Sequence, residues 1–83
     1  MKSLTQYGRL AETHWRAFLP GMVTELEQKG CLREMLLEAE EKTESDLDQL
    51  RRHLIQQGLT PQQAQYRAWE IVRERYIFLP PES

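Results

Sequence analysis

Apolar residues recur along most of this chain at spacings of three and four, the signature of helices that bury one face. Leu4, Tyr7, Ala11, Trp15 and Phe18 form one such stripe, with Gln6, Arg9, Thr13 and Arg16 on the opposite face. Ser3-Leu4-Thr5-Gln6 reads as a capping box, so the first helix is expected over residues 4–17, ending ahead of Pro20. Pro20 suits the first position of a second helix, whose short apolar face is Met22, Val23 and Leu26 and whose stop is Gly30. Leu32, Leu36, Ala39, Thr43, Leu47, Leu50 and Leu54 then continue at steps of 4, 3, 4, 4, 3 and 4, with neither proline nor glycine between Leu32 and Gln57. The pattern predicts one long central helix over about 32–57 and a length of ~40 Å. Its weak point is Thr43-Glu44-Ser45-Asp46, whose side chains favour helix ends over helix interiors.

Gly58 closes this helix and Thr60-Pro61-Gln62-Gln63 opens the last one, with Thr60 as N-cap, Pro61 at the first position and Gln63 completing a capping box. Ala64, Ala68, Ile71, Val72 and Arg75 line one face of that helix, with Trp69 and Tyr76 beside it. The fold class is therefore all-α, a small bundle of three to four helices around one long member. Residues 1–79 are expected as a single helical domain and residues 80–83 as a flexible C-terminal tail.

Eighty-three residues bury only ~60–65% of the surface that the unfolded chain exposes, so a core of this size is marginal. A long helix that pairs with a second chain is one way to gain burial. That argument makes Leu36, Ala39, Thr43, Leu47 and Leu50 the expected self-association surface and a homodimer, or another helical protein, the expected partner. Charge is distributed to match: residues 1–20 carry a net +2, residues 21–50 a net −6 and residues 51–83 a net +2, for −2 in all. An acidic middle between basic ends suits antiparallel packing or self-association.

Other function classes find little support. One cysteine, Cys31, allows no internal disulfide, and no apolar run approaches the ~18 residues of a membrane span, so a cytoplasmic protein with no membrane partner is expected. His14 and His53 lie 39 positions apart and Cys31 has no ligand-type neighbour, so neither metal nor cofactor is expected. The glycines at 8, 21, 30 and 58 are isolated and form no phosphate loop. Glu34, Glu38, Glu40, Glu41 and Glu44 read as a charged helix surface, and without burial no carboxyl is tuned for acid–base work. No enzyme is expected. The aromatic residues gather in the first and last segments, as a core joining the first helix to the last or, where exposed, as a binding patch.

An alternative is a DNA-associated accessory or regulatory protein. Residues 51–75 have the form of a helix-turn-helix, in which Gln62, Gln63 and Arg67 would face a groove, although Arg51, Arg52 and Arg67 are the bases at hand for phosphates. Tyr7-Gly8-Arg9, Leu19-Pro20, Leu26 with Gly30 and Leu32, and Trp69-Glu70-Ile71-Val72 with Glu74 and Ile77 resemble the landmarks of short transposon-encoded TnpV-type proteins. The stretch from Ala68 to Pro80 is similar to the ends of other short bacterial helical proteins. The resemblance implies a bacterial accessory protein of mobile-element type and brings no catalytic residue with it.

Overall fold

A computed structural model describes residues 3–82 and, among them, four α-helices and no strand: α1 (Gln6–Phe18), α2 (Pro20–Lys29), α3 (Leu32–Gln56) and α4 (Pro61–Tyr76). None of them is long and apolar enough to cross a membrane. The long central helix is one continuous element of 25 residues. It runs through Thr43–Asp46, where the two polar side chains turned toward the rest of the fold, Thr43 and Asp46, both have partners. The Thr43 hydroxyl, fully buried, donates to the Ala39 carbonyl one turn back at 2.7 Å. The Asp46 carboxylate accepts from the Tyr76 phenol at 2.8 Å and from Arg75 at 3.3 Å. The first of these bonds holds the Tyr76 phenol above its ordinary pKa, aided by desolvation and by the Asp46 charge.

α3 is the spine, and the other helices cover its apolar stripe in two stretches. Ala11, Trp15, Leu19 and Val23, from α1, the junction after it and α2, close over Leu36 and Ala39, with Ile77 beneath the C-terminal segment. Ala68 and Val72 of α4 close over Leu47. Contacts between Arg51 and Gln65 near one end, and between Asp46 and Tyr76 near the other, show α3 and α4 running antiparallel as a helical hairpin. Ala64 and Ala68 have no exposed surface, and their small side chains bring the two backbones close.

The chain's punctuation has clear causes. Gly30 takes up a left-handed conformation (φ 73°) to end α2, and Gly58 (φ 108°) turns the chain after α3. Thr60 caps α4 through the reciprocal pair Gln63 N–H to Thr60 Oγ1 and Thr60 N–H to Gln63 Oε1. At the start of α1 the expectation fails. The N-cap is Thr5 and not Ser3, and no side chain closes a box there. Phe18, placed by spacing on the buried stripe, is half-exposed against His14, and Leu19 beyond the helix end turns inward instead. Ile71 likewise lies exposed on α4, although spacing put it on the packing face.

The Thr5 side chain is engaged by Glu40, which corrects a second expectation. Glu40 belongs to no charged surface: it is 2% exposed, under the first turn of α1. Its Oε2 accepts from the Thr5 N–H at 2.8 Å and from the Thr5 hydroxyl at 2.7 Å. A carboxylate there also faces the positive end of the α1 dipole, which offsets part of its desolvation. Oε1 has no hydrogen-bond partner among the described residues. Gly8 provides the space, because a Cβ on it would lie 2.6 Å from Glu40 Oε2.

The C-terminal segment is seated as well. Trp15 Nε1–H donates to the Ile77 carbonyl at 3.1 Å, and His14 Nε2 donates to the Leu79 carbonyl at 2.8 Å. Residues 80–82, expected as a flexible tail, lie across the start of α2. Glu82 N–H donates to the Phe18 carbonyl, and its carboxylate accepts from Met22 N–H at 2.9 Å and Gly21 N–H at 3.3 Å. These amides have no partner within their own helix, so an acidic side chain is favoured there.

Two outcomes test this packing. Helix propensity alone favours Gly8→Ala by ~1 kcal/mol, yet the contact with Glu40 makes the substitution destabilising in urea unfolding. In a Glu40→Ala background, with the oxygen gone and Leu4 Cδ2 at 2.9 Å left to give way, Gly8→Ala is less destabilising. Equal effects in both backgrounds would refute the contact. Trp15→Phe keeps the apolar fill but leaves the buried Ile77 carbonyl unpaired, and lowers unfolding free energy by about 1–3 kcal/mol; an unchanged urea midpoint would show that the bond contributes nothing.

Candidate functional site

The sequence-derived site residues separate once the chain is folded. Leu36, Ala39, Thr43 and Leu47 are buried by the chain itself and Leu50 is half-buried, so the stripe expected to meet a second chain is already occupied by α1, α2 and α4. Burial of the long helix is achieved internally, by folding α4 back along it. The stripe is a core.

The residues expected at a DNA groove, Gln62, Gln63 and Arg67, line one hollow on α4. The turn at Gln57–Thr60 that carries them joins antiparallel partners, whereas the helices of a helix-turn-helix cross at ~90–120°. Gln63 is also engaged in the α4 cap. Arg51 and Arg52 are both paired with Asp48. His14 Nε2 and Trp15 Nε1 each donate to a backbone carbonyl of the C-terminal segment. Cys31 is half-buried at the start of α3. Among the described residues no cluster of three or more His, Cys, Asp or Glu could hold a metal ion.

What the fold does build is a groove between α1 and α4. Its volume is about 520 Å³, and it is lined by Gln6, Tyr7 and Leu10 from α1 and by Gln62, Gln65, Tyr66 and Trp69 from α4. Tyr7 and Trp69 form its floor, their ring centroids 5.5 Å apart. Phe78 supports Trp69 from the other side at 6.2 Å, and Arg73 lies 5.9 Å from the Phe78 ring centre. Gln65 is oriented by Arg51, which donates to its Oε1 at 3.3 Å. Two rim residues stand into solvent, Leu10 at 40% exposed and Tyr66 at 68%.

None of the seven lining residues is Asp, Glu, Lys or Arg, in a chain of which 29% is charged. Elsewhere the surface is laced with ion pairs one helical turn apart, such as Arg16–Glu12, Lys29–Glu25 and Lys42–Glu38. Each base is held above its ordinary pKa chiefly by the hydrogen bond to its acid. The groove is thus a neutral, aromatic patch on a charged molecule. Beyond Tyr66 the surface dips again, toward Leu54, Leu59, Gln63, Arg67 and Glu70, so this tyrosine is a ridge with a hollow on either side.

A smaller hollow of about 170 Å³ lies among Trp15, Met22 and Leu26, with Glu38, Lys42 and Arg75 also in its lining. It is a gap between α2, α3 and the C-terminal segment, and it is narrower than the ~300–1,000 Å³ of ordinary ligand pockets.

The groove residues were present in the sequence but carried no signal of their own. Tyr7 and Trp69 read as core, and Tyr66 as one more helical aromatic. The detectable hint was the gathering of aromatic residues at the two ends of the chain. Compared with models of protein families, with curated proteins and with solved structures, the chain matches none of them.

Proposed function

We propose that the protein is a helical protein–protein interaction module that receives its partner in the groove between α1 and α4. The observation that carries this reading is the rim. Leu10 and Tyr66 expose apolar surface next to the half-buried Tyr7 and Trp69, in a lining without ionised side chains. Centres of protein interfaces have that composition: tyrosine and tryptophan enriched, charge depleted, a charged rim around them. Glutamine amides supply donors and acceptors that fix orientation without requiring a counter-ion.

The chemistry of the lining suits a helix or an extended segment of another protein over a small polar metabolite, because no ionised group is positioned to recognise one. Catalysis has no place in the reading, since nothing in the groove is arranged as nucleophile, acid or base.

If the rim exists for binding, the isolated fold does not depend on it. Leu10→Ser and Tyr66→Ser, unfolded in urea at low protein concentration and followed by tryptophan fluorescence, each change the unfolding free energy by less than about 1 kcal/mol. A loss of about 2 kcal/mol or more at either position would assign the groove to the fold and remove the docking role.

A further inference from the structure

We infer that the partner received by this groove is a second copy of the same chain, docked about a two-fold axis that passes beside Tyr66. This rests on reading the groove as a protein-docking surface. Residues near such an axis meet their own counterparts, so an ionised side chain there would face a like charge. The α1–α4 groove is the part of the surface described above that lacks ionised groups in its lining, and its glutamines, being donor and acceptor at once, can pair with themselves. Tyr66 supplies the shape, as a protruding ring with a hollow on each side. A ridge beside a hollow is complementary to a rotated copy of itself.

The register follows from α4. Gln62, Tyr66 and Glu70 succeed one another at four-residue steps and form one outward row. Two copies of α4 laid antiparallel about Tyr66 bring Gln62 opposite the partner's Glu70, amide to carboxylate, twice in the interface. The chain exposes 5726 Å², of which a standard interface would take ~800 Å² from each partner.

Sedimentation equilibrium of the full chain tests the pairing. The native protein is expected as a concentration-dependent dimer of the 9.9 kDa chain. Gln62→Glu, which sets like charges opposite each other, weakens association by about tenfold, and Gln62→Lys strengthens it. Exchanging the pair as Gln62→Glu with Glu70→Gln restores the native constant. Gln62 is exposed at the start of α4, where an acidic residue favours the helix, so circular dichroism separates lost pairing from lost folding. Ile71→Glu, ~140° round the helix from Tyr66, leaves the constant unchanged.

A monomer up to millimolar concentration overturns the second-copy assignment, as does a dimer indifferent to Gln62, Tyr66 and Glu70. Either result leaves the docking reading to the rim substitutions at Leu10 and Tyr66. Only a destabilised fold in those variants removes the groove as a docking surface.

Discussion

The fold depends on how the apolar stripe of α3 is covered. A helix of 25 residues is ~38 Å long, and its stripe runs ~33 Å from half-buried Leu32 through buried Leu36, Ala39, Thr43 and Leu47 to half-buried Leu50 and Leu54. No single short helix can cover them all. α1 and α2 therefore serve the first half and α4 the second, and the two cores meet where Tyr7, Trp69 and Tyr76 pack against both. Every other feature is placed by that division. The α3–α4 hairpin fixes where Asp46 finds Tyr76, and the seat of α1 fixes where Trp15 catches the returning C-terminal segment.

Placing α1 on α3 puts Glu40 in the interface, which is costly: an ionised carboxylate loses its hydration there and recovers it only through strong hydrogen bonds. Two bonds from Thr5 and the dipole of α1 supply part of this. A leucine at this position would pack against α1 in many registers. A carboxylate reaching one backbone amide and one hydroxyl, with a glycine to admit it, fits a single register. The two bonds to Thr5 fix where the start of α1 sits on α3.

Local features were legible in the sequence, and long-range ones were not. The Thr60 cap, the stops at Gly30 and Gly58 and the continuity of α3 depend on partners within a few residues or on an unbroken period. Thr43 shows why the weak point was harmless: a threonine on the buried stripe can return its hydroxyl to its own helix. Glu40 was misread because it adjoins the stripe among four other glutamates, and periodicity does not say which acid is covered. The sign available was Gly8, a glycine in the first turn of α1, on its packing side, whose missing side chain needed an occupant. The stripe itself was identified correctly, and its partner was not. An apolar period states that a face is buried; it does not say whether the same chain or another one buries it.

The groove follows from the same division of labour. α1 and α4 are both committed to α3, so the faces they turn toward each other are not required to meet, and Tyr7 and Trp69 bridge them at ring-contact distance. Side chains in that space are released from the demands of the core without being pushed to the charged composition of the outer faces. Helix faces that only meet water here became ion-paired at one-turn spacing, because exposed charges cost the fold nothing and keep it soluble. The α1–α4 space kept glutamine, leucine and three aromatic rings instead. An exposed tyrosine adds little to the stability of the helix it stands on, so α4 itself does not call for one between the two hollows.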